Sequence, residues 1–409
     1  MSTDVRLLFA ARVVRLFGYG ALAVVLALYL AELGFDEGRI GLLLALTMAG
    51  DALISLWLTT RADRFGRRRT LRVGAGLMIA AAIVFALSGD FVVLLAAAIV
   101  GVLSPSGNEV GPFLPVEQAA LSQVVPSARR TTVFAWYQLA GSLATASGSL
   151  AAGVAVQVLQ AGGTTALDSY RAVIVAYAFV GVALLLVAGR TSPAVETAAP
   201  ADPSIRRRLG LHRSQRVVGE LSALFALDAF GGGFVVQSIV ALWFHVRWGV
   251  EPVVLGAIFF GANALAGLSG LVAARLAARF GLIETMVGTH LPSNVLLILV
   301  PLMPSLPLAI GVLLTRFAIS QMDVPTRQSY TMAVVHPDER SAAAGLTGVA
   351  RSAGAAVAPA IAVPLIAVPF LAGGLPFVVA GTLKIVYDLA LWRRFRALRS
   401  PDDQRARVQ

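Results

Sequence analysis

Apolar residues in this chain do not alternate with polar ones. They run together in long stretches separated by short polar loops. Twelve stretches can be read, near 7–31, 39–60, 71–88, 92–113, 132–158, 170–189, 219–245, 252–278, 284–302, 305–326, 341–367 and 373–392. Each comes close to the ~20 residues that carry a helix across the hydrocarbon of a bilayer. Strands of a membrane barrel would give shorter segments of alternating hydrophobicity. The pattern therefore predicts an all-α membrane protein with twelve transmembrane helices. The first stretch is too long for a signal peptide, lacks a small-residue cleavage site and is followed by further spans, so it is read as span 1.

The polar residues between the spans fix an orientation. The chain has 33 Lys and Arg, and with the N-terminus inside roughly 25 of them fall in cytoplasmic loops and tails, against about three outside. The inner clusters are Arg61 to Arg72, Arg129–Arg130, Arg206–Arg208 with Arg213 and Arg216, and Arg393 to Arg407. The outer ones are Arg39, Arg171 and Arg247. Both termini are then cytoplasmic, in a protein of the inner (cytoplasmic) membrane. The net charge of +11 is not read as nucleic-acid binding, because the arginines sit between apolar runs, where they face an anionic inner leaflet. With 57% apolar and only 13% charged residues, the composition departs from that of a soluble domain, which carries about 25% charged residues.

Residues 191–216 break the pattern with Pro193, Pro200 and Pro203 and then a basic run, as an exposed linker does. They divide the chain into a six-span bundle over 1–190 and a second over 217–409 with a basic cytoplasmic tail. The two halves echo each other at four places in the same order. Arg64-Phe65-Gly66 matches Arg279-Phe280-Gly281, and the segment Arg15 to Gly20 matches Asp228 to Gly233. Pro115-Val116-Glu117-Gln118 matches Pro325-Thr326-Arg327-Gln328, and Val125 to Arg129 matches His336 to Arg340. The halves are thus expected to be pseudo-symmetric, an architecture in which substrate binds between repeats.

The loop after span 2 reads Thr59-Thr60-Arg61-Ala62-Asp63-Arg64-Phe65-Gly66-Arg67-Arg68. It resembles the cytoplasmic signature of the major facilitator superfamily, Gly-x-x-x-Asp-Arg/Lys-x-Gly-Arg/Lys-Arg/Lys. Asp63, Arg64, Gly66, Arg67 and Arg68 match, and Thr59 replaces the first glycine. The resemblance implies the twelve-helix major facilitator fold and a gating loop, with Asp63 latching the inner side. A drug-efflux-like branch is one possibility, but the Gly-Pro pair of the drug–proton antiport signature is missing from Gly141 to Gly153 in span 5.

Ionisable residues inside spans are costly and mark functional positions. Arg15, Asp51 and Asp228 fall at one depth and are expected to form a network that substrate or a proton perturbs. In this family spans 1 and 7 line the central cavity, so Arg15 and Asp228 are expected to pair across it. Glu109, beside Pro105 and Gly107 in a broken span 4, is a candidate proton carrier. Arg316, Asp323 and Arg351 complete the candidate substrate or proton pathway. Glu117 and Arg327 are expected to form an ion pair between the halves, and Lys384 and Asp388, one turn apart, to pair locally.

Cysteine is absent, and the four histidines are scattered without a second ligand at helical spacing, so no metal site and no cofactor are expected. No Gly-x-x-x-x-Gly-Lys phosphate loop exists, which excludes ATP hydrolysis by this chain. No nucleophile–base set suggests an enzyme. The expected function is secondary active transport of a small solute, with proton-coupled efflux first. Proton-coupled uptake of a small organic anion or nutrient is the alternative, with Arg15, Arg316 or Arg351 as anion ligands. The expected partners are a small-molecule substrate, protons and the lipid bilayer, and the expected state is a monomer.

Overall fold

The computed structural model describes residues 3–59, 65–108, 111–125, 127–196, 213–336 and 339–395. Among them no strand occurs. The helices are α1 (Thr3–Glu32), α2 (Glu37–Thr59), α3 (Arg67–Leu87), α4 (Phe91–Val100), α5 (Phe113–Val124), α6 (Ser127–Ala161) and α7 (Ala166–Arg190). They continue as α8 (Gln215–Gly233), α9 (Gln237–Trp248), α10 (Pro252–Phe280), α11 (Leu282–Leu299), α12 (Leu306–Ser320), α13 (Asp323–Val334), α14 (Arg340–Ile366) and α15 (Leu375–Phe395). Eleven segments among the described residues are long and apolar enough to cross a membrane. Large apolar side chains such as Leu53, Leu87, Val92 and Phe179 point outward, which suits lipid as the surrounding solvent.

The predicted span at 92–113 is interrupted, as 219–245 is between α8 and α9 and 305–326 is between α12 and α13. Helix α4 is capped by Asp90, whose side chain accepts from Val93 N–H, and it stops at Gly101. The chain then runs irregularly past Pro105 and Gly107, and Gly107 and Gly111 take φ of +69° and +77°, conformations open mainly to glycine. Irregular backbone at membrane depth must be satisfied by protein, and here it is. Tyr177 Oη donates to Val102 O at 2.8 Å, Ser238 N and Oγ donate to Pro105 O at 3.0 and 2.8 Å, and Thr145 Oγ1 donates to Gly107 O at 3.3 Å. Asp51 accepts from Gly111 N–H at 2.6 Å. Among the described residues of the break, 101–105, Gly107 and Gly111 are buried and Asn108 is exposed.

Two compact units result. One holds α1 to α7 together with Val236–Asn263, that is, α9 and the start of α10. The other holds α8 and everything described from Ala264 onward. Residues 236–263 belong to the second half in sequence but pack with the first unit for identifiable reasons. Ser238 Oγ donates to Ala23 O at 2.8 Å, Gln237 Nε2 donates to Ser149 Oγ at 3.1 Å, and Gly256 lies against the Ser149–Gly153 stretch of α6.

Inside each unit the repeat is visible as equivalent packing. In the first, Gly20 of α1 faces the backbone of Thr145, and Gly148 of α6 faces the backbone of Phe17. In the second, Gly233 of α8 faces Ala355, and Gly354 of α14 faces Ala226. Small residues let helix backbones approach where no hydrophobic force drives them together. The matched glycines Gly66 and Gly281 carry φ of +93° and +97°, each turning the chain into the next helix. Gly148→Ala is expected to lower the yield and apparent melting temperature of detergent-solubilised protein, although alanine is the better helix former by about 1 kcal/mol. Overpacking of this kind costs about 1–3 kcal/mol. Gly288→Ala, whose Cβ meets nothing within 4 Å, is the tolerated control; equal behaviour of the two variants removes the packing argument.

Candidate substrate and proton site

In the first unit Arg15 of α1 is paired through both terminal nitrogens. Arg15 Nη1 and Nη2 donate to Glu117 Oε1 and Oε2 at 2.5 and 2.8 Å, a two-pronged contact between α1 and α5. Both residues are fully buried. Tyr137 of α6 donates a short hydrogen bond to Glu117, and the Arg15 guanidinium lies 4.8 Å from the centre of the Phe113 ring. A fork of this geometry is the strongest arrangement a buried arginine and carboxylate can make.

In the second unit the same two positions pair with the charges exchanged. Asp228 of α8 accepts from Arg327 of α13 at 3.2 Å, and Arg327 also donates to Asp323 one turn earlier at 2.8 Å. Here the pair has grown into a cluster. Lys384 Nζ donates to Asp228 Oδ1 at 2.6 Å, and Arg351 Nη1 donates to Asp228 Oδ2 at 3.1 Å. On the other side, His290 Nδ1 lies 2.8 Å from Asp388 Oδ1, while its Nε2 lies 3.8 Å from Asp228 Oδ1. Asn294 Nδ2 donates to Asp388 Oδ2 at 2.8 Å. Asp228, Asp388, His290, Lys384, Arg327 and Asp323 are buried; the Arg351 side chain is 34% exposed.

Three expectations change. Arg15 and Asp228, expected to pair across the halves, and Glu117 and Arg327, expected to form an ion pair between them, are each engaged by a partner in their own unit. A charge withdrawn from water needs a counter-charge within reach, and in both units that partner comes from the same unit. Lys384 and Asp388 do not pair locally: Lys384 turns to Asp228 and Asp388 to His290. Asp51 closes the broken backbone at Gly111.

Arg316 of α12 and Asp323 lie in the same region as Asp228, close enough for their charges to interact. Glu109, Asp63 and Arg64 lie outside the described residues. Of the remaining gating-loop residues, Gly66 precedes α3, whose first N–H groups are capped by Glu196. That carboxylate accepts from Arg67 N at 2.7 Å and Arg68 N at 3.2 Å, as negative charge does at a helix N-terminus. Sequence reading missed Glu196, Asn294 and the role of His290. His290 and Asn294 stand one turn apart within a span, a polar pair on one helix face that was there to be read.

A polytopic helical protein with a paired charge at matched positions in each of two repeats is the build of a membrane carrier. Residues 8–359 match the Major Facilitator Superfamily, and the chain belongs to that family of transporters. It is 30% identical over 420 residues to the uncharacterized membrane protein YJR124C of Saccharomyces cerevisiae, covering 95% of this chain and 93% of the yeast protein. A stretch of 119 residues, 29% of each chain, is 28% identical to the quinolone resistance protein NorA of Staphylococcus aureus. The fold is similar to the crystal structure of a bacterial homologue of the human lysosomal transporter Spinster, with a TM-score of 0.73 at 17% identity over 97% of this chain and 98% of the other.

Proposed function

We propose that this chain exports a small solute across the cytoplasmic membrane in exchange for protons, by alternating access of its two repeat halves. In this reading the protein acts as a monomer with both termini in the cytoplasm. The observation that carries it is His290, held buried between the carboxylates of Asp388 and Asp228. In the tautomer that donates Nδ1–H to Asp388, Nε2 meets Asp228 favourably only with a further proton between them. A buried imidazole bridging two acids is a place to take up and release one proton. Export is supported by the partial similarity to a quinolone resistance protein. Asp63, Arg64, Gly66, Arg67 and Arg68 serve as the cytoplasmic latch, with Glu196 as the carboxylate that caps the start of α3, and Glu109 is a second proton carrier.

The test uses inside-out vesicles with an acidified lumen, with a fluorescent quinolone, which carries a carboxylate, as probe. Accumulation several-fold above vesicles lacking the protein, abolished by a protonophore, is the expected result. His290→Gln is expected to keep solute–solute exchange while losing accumulation driven by the proton gradient. Accumulation that ignores the protonophore, or net movement only in the opposite direction, overturns the reading.

A further inference from the structure

The charge count in the second unit does not close. Asp228, Asp323 and Asp388 stand against Arg316, Arg327, Arg351 and Lys384, with His290 in addition. Arg327 and Lys384 are each ion-paired with an acid. Arg316 is not: none of its nitrogens has a hydrogen-bond or ion-pair partner among the described residues, and its Nε is buried without an acceptor. Its guanidinium rests 4.8 Å from the centre of the Phe317 ring, which orients the fork without neutralising it. Arg351 spends one nitrogen on Asp228 and keeps a third of its side chain exposed.

The repeat shows that the fold itself does not ask for these cations. At the register that sets Glu117 against Arg327, Arg316 stands opposite Ser106; at the register of the Pro126 and Pro337 loops, Arg351 stands opposite Ala140. The first unit makes its equivalent α1–α5 pair without them. Arg316 is partly buried and its Nε is buried without an acceptor, so part of its desolvation is not offset within the protein; an anionic ligand supplies that missing acceptor and charge.

We infer that the second unit holds a binding site for an anionic group, a carboxylate or phosphate, at Arg316, with the part-exposed Arg351 as a second cation of the same Asp228-centred cluster. The inference rests on the chain being a carrier and names the chemistry of its solute. Planar guanidinium forks match both anions in a two-pronged geometry. Arg15, the third cation considered from the sequence, is ruled out because Glu117 takes both of its terminal nitrogens. The group can arrive on a soluble organic acid or on an anionic lipid headgroup.

The experiment is equilibrium calorimetry on the full chain in phosphatidylcholine nanodiscs, with no gradient imposed. Benzoate and phenyl phosphate are titrated beside benzyl alcohol and benzylamine, which share the ring but not the charge. The anions are expected to bind, and Arg316→Gln to weaken them about tenfold or more, while Arg316→Lys restores part of the loss. Mass spectrometry of phosphatidylglycerol retained by wild type and Arg316→Gln identifies a lipid source: retention that depends on Arg316 supports the site and assigns it to a headgroup. Binding of benzyl alcohol or benzylamine equal to the anions, or anion binding and lipid retention both indifferent to Arg316 in variants that keep the wild-type melting profile, overturns it. If Arg316→Gln does not fold, Arg316→Lys and Arg351→Gln decide by the same comparison. Because no gradient is present, loss of proton-driven export leaves this result untouched, and failure of anion binding leaves proton coupling to its own test.

Discussion

Asp228→Asn is expected to abolish transport and to destabilise the second unit more than any other single change among its polar residues. The substitution keeps the shape of the side chain and removes the charge that Lys384, Arg327 and Arg351 share. Leaving one partner of a buried pair uncompensated costs about 3–5 kcal/mol, and here several cations lose the same partner. The apparent melting temperature in detergent should fall by several degrees, and solute accumulation driven by a pH gradient should disappear. A second substitution separates structure from function. Asp228→Asn combined with Lys384→Met removes the nearest stranded cation and should recover a large part of the thermal stability. It should not recover transport, because the acid that faces His290 is still gone. Transport that survives in the single variant with its gradient dependence intact would sink the assignment of Asp228 to the working site.

Arg15→Glu and Glu117→Arg are each expected to prevent accumulation of folded protein, whereas the double exchange should restore it in part. Either single change sets two like charges against each other in a site with no exposure. The cost is at least that of a broken buried pair, about 3–5 kcal/mol. The double variant recreates the polarity of the second unit, where the acid sits on the first helix of the repeat and the arginine on the matching later helix. Tyr137 can serve either polarity, since a hydroxyl both donates and accepts. Yield after detergent extraction and monodispersity by size exclusion report the outcome. A double variant no better than the singles would show that the polarity of the first unit is fixed by something beyond the pair itself.

Much of the architecture was legible in the sequence because its signals are local. Each long apolar run specifies a helix, since in hydrocarbon a segment must satisfy its own backbone. The Pro105 to Gly111 stretch announced the break in span 4. The match of Arg64-Phe65-Gly66 with Arg279-Phe280-Gly281 reappears as two glycines with nearly the same positive φ. The intramembrane charges were also legible as a set, because their cost marks them wherever they fall.

Their pairing was not legible. The matched positions Arg15 and Asp228, and Glu117 and Arg327, carry opposite charges, and sequence symmetry alone allows either pairing across halves or pairing within each. The tertiary structure brings Arg15 to Glu117 and Asp228 to Arg327 within hydrogen-bonding reach, each inside its own unit. Lys384 and Asp388 make the same point on a smaller scale. Helical spacing puts them on one face, but each is drawn to a stronger partner on a neighbouring helix. The sequence by itself determined the helices, the repeat and the inventory of buried charge, all of which follow from local chemistry and the demands of a lipid solvent. Only the tertiary structure decided that the first unit's α1–α5 charge pair closes on itself while the second unit's cluster retains Arg316 unmatched. That balance depends on which helices pack side by side, and no local pattern encodes it.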